Sequence, residues 1–294
     1  MSRAAVLLIV LSALAACGKK EKATEPPAEP VKMARAAPTL RAFDLASQND
    51  QFTYANVGEV KTTHVDLDLT AEFDSRTLDG VATLDLERID PSADTLVLDT
   101  DDLAIRAVEV RTGEIWTAAP FVLGADDPAL GAPLQISLPR GADAVRVSYR
   151  TSPGAQGLQW LTREQTAGRR HPFMYSQNQA IHARSMAPLQ DTPQIRITYT
   201  AKIRAPEPLV AVMSAVRNAP ERGVQSFRMD QPIPSYLIAL AIGDIGFKAI
   251  SDNVGAWAEP EMLDAAAAEF SETPQMIVAN SALYGPYRWE RYDM

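Results

Sequence analysis

The run THVDLDLTAEF (63–73) alternates apolar and polar side chains, with Val65, Leu67 and Leu69 on one face of an extended chain and Asp66 and Asp68 on the other. That period predicts a half-buried strand. DSRTLDG (74–80) supplies turn residues and VATLDLERI (81–89) alternates again, so a hairpin with a long loop is expected. Further strand-like runs are TLVLD (95–99), AIRAVEVRT (104–112), QISLP (135–139), AVRVSYRT (144–151), PQIRITYTAKIRA (193–205) and VQSFRMDQPIP (224–234). Short strands punctuated by turn residues predict an all-β domain of antiparallel sheets over about residues 52–258. The apolar run YLIALAIGDI (236–245) fits a buried strand or a short buried helix, and Pro232 and Pro234 favour the extended choice.

From residue 259 the pattern turns helical. Pro260 and Glu261 suit a first turn, and four alanines follow at 265–268. Thr273 and Pro274 read as the N-cap and first position of a second helix, which Gly285 and Pro286 end. Two such helices cannot enclose a core. They are expected to pack on the β-domain and to leave Met262, Leu263, Phe270, Met276 and Ile277 partly uncovered.

The N-terminus has a different character. MSRAAVLLIVLSALAACGKK carries a basic start at Arg3 and an apolar run from Ala4 to Leu14, too short to span a bilayer. Its LAAC resembles the lipobox of bacterial lipoproteins. The resemblance implies a signal peptide over 1–16, lipid on Cys17, and a place in the bacterial cell envelope facing the periplasm. Residues 17–51 are rich in Lys, Glu, Pro and Ala and are read as a disordered tether.

Composition narrows the function. The net charge of −9 speaks against a nucleic-acid partner, which would need a basic face. Three histidines and one cysteine exclude a disulfide framework and a thiolate metal cluster. His64, expected exposed at a strand start, and His171 and His182, the latter expected on a strand, match no zinc spacing. Asp101 and Asp102 read as turn residues at a strand end. Ser176 lacks the elbow of a serine nucleophile. TSPGAQG (151–157) reads as a plain loop, and Trp160 and Tyr175 as core or cleft-wall aromatics.

One stretch remains chemically dense. HPFMYSQNQAIHARSMAPLQDTP (171–193) places Gln177, Asn178 and Gln179 in a row, with no carboxylate before Asp191. With GLQWLTREQTAGRR before it and QIRITYTAKI after it, the stretch resembles the zinc aminopeptidases of the leukotriene A4 hydrolase branch, the family that also holds aminopeptidase N. RTLDGVATLDL, LVLDTDDLAI, PIPSYLIALAIGDI and EFSETPQMIVANSALYGPYRWERYDM extend the resemblance over about residues 57–294. It implies a saddle-like antiparallel β-sandwich followed, from 259, by the opening of a thermolysin-like catalytic domain. It also implies that Gln177, Asn178, Gln179 and Ala180 help hold the N-terminal residue of a peptide substrate. Uncharged amides suit that task because they both donate and accept hydrogen bonds.

The family's H-E-x-x-H zinc motif and G-x-M-E-N loop are not in this sequence. The expectation is therefore an N-terminal portion of a membrane-tethered zinc aminopeptidase, from a truncated gene or an incomplete sequence. Alone it would be inactive, and zinc and the catalytic domain would belong to the complete protein. The rival expectation is a lipid-anchored, non-catalytic β-domain that binds peptides or proteins.

Overall fold

The computed structural model describes residues 50–220 and 223–294, so the expected signal peptide, Cys17 and the expected tether up to residue 49 lie outside it. The described chain is mostly strand. β1 (Val60–Glu72) and β2 (Thr77–Arg88) form the first hairpin. Val65, Leu67 and Leu69 are buried to 1% exposure or less, and the intervening aspartates are half-buried, as the alternation predicts. The phase shifts once. Val60 and Thr62 also point inward, and the register slips between Thr62 and His64, leaving Thr63 as an extra residue. Such a bulge moves the buried set from even to odd positions. The loop is shorter than expected, because Thr77 to Gly80 already belong to β2. A Cβ on Gly80 would lie 1.9 Å from the carbonyl oxygen of Asp68, so only glycine lets the hairpin close there.

The chain continues through β3 (Thr95–Thr100), β4 (Ala104–Thr112), β5 (Ile115–Ala118), β6 (Phe121–Leu123), β7 (Ala132–Ser137) and β8 (Ala142–Arg150). β9 (Leu158–Leu161) and β10 (Phe173–Ser176) lead into a one-turn helix, α1 (Ala183–Met186). Then come β11 (Ile197–Arg204), β12 (Val210–Met213), β13 (Val216–Arg217), β14 (Val224–Ile233), β15 (Leu240–Gly243), β16 (Gly246–Ala249) and β17 (Val254–Ala258). Helices α2 (Pro260–Glu269) and α3 (Thr273–Tyr284) precede β18 (Tyr292–Asp293).

Eight strands form the large sheet in the order β13-β14-β11-β1-β2-β8-β4-β5. Its pairs are antiparallel except β1 with β11, which run parallel; β17 and β18 also pair parallel in a smaller sheet. The sheets are antiparallel as expected, with these two parallel pairs as additions that the sequence pattern does not show. Both edges of the large sheet are short, which limits pairing with another chain. Its outer face carries cross-strand ion pairs: Arg106 and Arg150 reach Asp79 at 2.7 and 3.3 Å, and Arg146 reaches Glu109 at 2.7 Å. Asp68 pairs with Arg204, and Asp66 accepts a 2.6 Å hydrogen bond from Thr200.

The inner face packs with the β3-β7-β6 sheet. Leu96, Leu98, Leu134 and Ile136 join Val65, Leu67, Leu84, Val145 and Val147 in one cluster. β3 is buried along its whole length because both its faces are covered. Val97 turns the other way, into a small cluster with Tyr54, Leu130 and Ile181. Burial on two faces explains why TLVLD is almost continuously apolar.

Several local expectations change. YLIALAIGDI is not one strand: Ser235–Leu237 form a 3-10 turn and only Leu240–Gly243 pair, in a four-stranded sheet ordered β12-β15-β10-β9. In α3, Glu272 is the N-cap and Thr273 the first helical residue, while Gly285, at φ 92°, ends the helix as expected. His182 lies in the turn before α1 rather than on a strand. His64 is half-buried within β1, its ring nitrogens 2.7 and 3.3 Å from the hydroxyls of Thr198 and Thr200.

Candidate functional site

The amide segment leaves β10 at the end of the four-stranded sheet. Phe173 to Ser176 pair with Leu158–Leu161 of β9 on one side, and Met174 and Tyr175 pair with β15 on the other. Beyond Ser176 the chain leaves the sheet and enters a turn over residues 179–182. Gln177 is exposed, Asn178 is 2% exposed, and Gln179 and Ala180 are exposed again. The structure thus brings two amides to the surface and turns the third inward.

Asn178 does not present its amide to solvent, which departs from the expected row of substrate-facing groups. Its Nδ2 donates to the carbonyl oxygen of Ile238 at 2.7 Å and lies 3.8 Å from the sulfur of Met186. The backbone around it is also tied. Gln177 N–H donates to Gly157 O at 2.8 Å, and His182 N–H donates to Asn178 O at 2.9 Å. The Gln179–Ala180 peptide is cis.

Below the segment lies a buried ionic knot. Arg184, the first large side chain of α1, is 2% exposed. Its Nε donates to Asp191 Oδ2 at 3.2 Å, and its two terminal nitrogens donate to Leu130 O and Phe52 O, each at 2.7 Å. Asp99, fully buried at the end of β3, stands 3.9 Å from the guanidinium. It accepts hydrogen bonds from Tyr54 N–H at 2.7 Å and Asp191 N–H at 2.9 Å, and another from the Thr53 hydroxyl. Burial pushes the Asp99 carboxyl up to about 6, against the pull of Arg184 and these donors. Asp101, in the turn after β3, is also raised, by burial first and then by the nearby Asp126 and Asp102. The knot joins residues 52–54, β3, α1 and Asp191, and it fixes the exit of the amide segment. The sequence shows only an ordinary arginine and two ordinary aspartates.

A groove of about 980 Å³ opens over the four-stranded sheet. Phe173, Tyr175, Met213, Phe247 and Trp257 line it, with Arg217 and Arg291. Tyr175 is 40% exposed there, a cleft-wall aromatic as expected. Trp160 instead packs edge-on to Phe73, with ring centroids 5.2 Å apart. Burial lowers the pKa of Arg217, whose guanidinium sits 5.7 Å from the Trp257 ring. The groove therefore offers aromatic faces, and β10, whose Phe173 and Tyr175 line it, runs directly into Gln177.

Among the described residues, no three His, Cys, Asp or Glu side chains are grouped so as to hold a metal ion. The donor set that zinc requires is not met by them. The residue that sequence reasoning passed over is Gly157, read there as part of a plain loop. Its carbonyl holds Gln177 and its N–H donates to Ser185 Oγ at 2.8 Å. A glycine directly before the apolar LQWL run was the available signal.

Residues 61–237 match the model of the Peptidase M1 N-terminal domain. The chain is 37% identical over 257 residues to leukotriene A-4 hydrolase of Xenopus laevis, covering 83% of this chain and 42% of that protein. It is 36% identical over 285 residues to aminopeptidase B of Homo sapiens, covering 87% and 42%. Yeast LTA4 hydrolase in complex with bestatin superposes with a TM-score of 0.77 at 31% identity, over 84% of this chain and 39% of that one. A mutant M1 zinc metallopeptidase from Deinococcus radiodurans bound to a Tyr-Ser-Ala substrate shares the fold, with a TM-score of 0.63 at 21% identity over 80% and 56%. The chain spans about two fifths of the length of the curated relatives it matches.

Proposed function

The chain belongs to the M1 peptidase family, and from that premise we propose that it is the N-terminal, substrate-positioning portion of a membrane-tethered zinc aminopeptidase. The observation that carries the reading is the presentation of Gln177 and Gln179. They stand exposed on a backbone pinned at Gly157 and anchored through Asn178, beside an aromatic groove. Exposed amides on a fixed backbone can hold a peptide terminus by hydrogen bonds without the entropy cost of first ordering the backbone that carries them. Ala180, also exposed, completes the surface that the peptide's first residue meets. Asn178 supports the segment from beneath.

Zinc enters this reading as the cofactor of the complete protein, supported by the M1 peptidase family itself. The body that brings the zinc ligands covers the apolar side chains left bare on α3, where Met276 is 55% and Leu283 is 75% exposed. A free-standing binding domain would keep that surface in water, which favours the enzyme portion over the non-catalytic reading.

Two measurements test this. The purified 294-residue chain, supplied with zinc and leucine p-nitroanilide, should release no nitroaniline above background; turnover that a chelator removes would overturn the assignment. In a reading frame that continues into G-x-M-E-N and H-E-x-x-H motifs, Gln177→Ala and Gln179→Ala should each raise KM about tenfold, the loss of one or two hydrogen bonds to substrate. Unchanged KM in both variants would remove the amides from the site.

A further inference from the structure

Gln177 and Gln179 can hold a ligand only if something sets where they stand, and the geometry beneath them shows what does. Asn178 is nine-tenths or more buried, and its Oδ1 finds no hydrogen-bond donor. Yet Oδ1 is not far from the chain. A Cβ on Gly157 would lie 2.6 Å from Asn178 Oδ1, 2.6 Å from His182 O and 2.9 Å from Ser185 Oγ. Three oxygens therefore converge on the side of Gly157 where other residues carry a carbon. A side chain there would collide with all three, so the position takes glycine.

The same residue works through its backbone. Gly157 N–H donates to Ser185 Oγ at 2.8 Å, and that hydroxyl donates in turn to His182 O at 2.8 Å. Gly157 O accepts from Gln177 N–H, and Asn178 O accepts from His182 N–H. Residues 177–182 thus form a short arch, clipped at both feet and seated on one glycine. From across the fold, Asn178 Nδ2 locks the arch to the Ile238 carbonyl at 2.7 Å.

We infer that Asn178 and Gly157 are a pair of positioning residues. The inward Asn178 forces its two neighbours outward, and the absent side chain of Gly157 makes the room. This rests on the reading of Gln177 and Gln179 as substrate-holding groups. Asn178 touches no substrate; its role is to fix the register of the two amides that do.

The full 294-residue chain, 15N-labelled, gives the test. Backbone amide exchange at Gln177 and His182, and the side-chain resonances of Gln177 and Gln179, are recorded for the parent, Asn178→Ala, Gly157→Ala and the double variant. Each single variant should speed exchange at both amides about tenfold or more, the loss of one locking contact in an otherwise intact fold. The glutamine side chains should move to free-amide positions while Val65 and Tyr199 keep their protection. In the double variant the two effects should fall short of their sum, because the added methyl enters space the asparagine has left. Unchanged exchange in both single variants would overturn the inference, as would equal acceleration throughout β1 and β11. KM in the complete enzyme separates the two ideas. If Gln177→Ala and Gln179→Ala leave KM unchanged, the reading of the segment fails whatever exchange shows. If they raise KM while Asn178→Ala raises neither KM nor exchange, the positioning pair alone fails.

Discussion

Arg184 ties together partners from distant parts of the chain. It is 2% exposed, with Asp191 at 3.2 Å, Asp99 at 3.9 Å and two backbone carbonyls each at 2.7 Å. Removing one member of a buried ionic set leaves the others charged and unpaired, so Arg184→Ala should cost about 3–5 kcal/mol, read as a lower urea midpoint. A change of less than about 1 kcal/mol would mean the knot contributes little. Asp99 gives the same knot a pH signature. Its carboxyl is raised from 3.8 to about 6, so between those values the folded chain binds more protons than the unfolded one. Stability from this group is therefore full below the lower value and is lost as pH rises through the upper one. Against an Asp99→Asn variant, the parent should gain stability as pH falls from 7 to 4.5; a difference flat in pH would contradict the assignment. None of this could be read from sequence. Arg184 and Asp99 stand 85 positions apart, and the inward turn of Asn178 depends on a carbonyl 60 residues away. The row of amides was legible in the sequence, but the inward turn of its middle member was not.

At the scale of elements, α3 is exposed on the wrong side chains for a helix in water. Met276, Val278, Leu283 and Tyr284 are 55%, 71%, 75% and 85% exposed, while only Thr273 is buried. The 294-residue chain should accordingly bind the hydrophobic dye ANS and self-associate as concentration rises. Leu283→Glu with Tyr284→Lys should reduce both without lowering the melting temperature, since neither side chain packs on the body; unchanged dye binding would place the sticky surface elsewhere. Which elements were legible follows from where their pattern is written. β1 and β4 are declared by their own alternation, and α2 and α3 by Pro260, Pro274 and Gly285. The 236–245 run was not, because a short apolar run fits a 3-10 turn followed by a strand as well as it fits one strand. The turn at 73–76 was overestimated because Gly80 reads as a loop residue, whereas it serves a close approach within the sheet.

At the scale of the whole molecule, the large sheet is joined at its middle by a long-range pairing that local pattern cannot show. β1 meets β11 in parallel, His64 beside Thr198 through Thr70 beside Arg204, which puts the N-terminal strand in the middle of the sheet. The folded body therefore requires its first strand early in the chain and its partner some 134 positions later. Residues 50–59, before β1, are packed into the body, with Thr53, Tyr54 and Ala55 buried. We propose that the expected anchor at Cys17, in the LAAC context, would hold the acidic body beside a membrane. Expressed in a bacterial host with its own leader, the chain should sediment with membranes, resist extraction by high salt and yield to detergent, because acyl chains hold by burial rather than by charge. Cys17→Ser should move it to the soluble fraction with β1–β11 pairing intact, checked by an unchanged circular dichroism spectrum. If the serine variant still sediments as the parent does, the anchor lies elsewhere and the tether reading fails. Release of the parent by salt alone would show that the association is electrostatic and not lipid-borne.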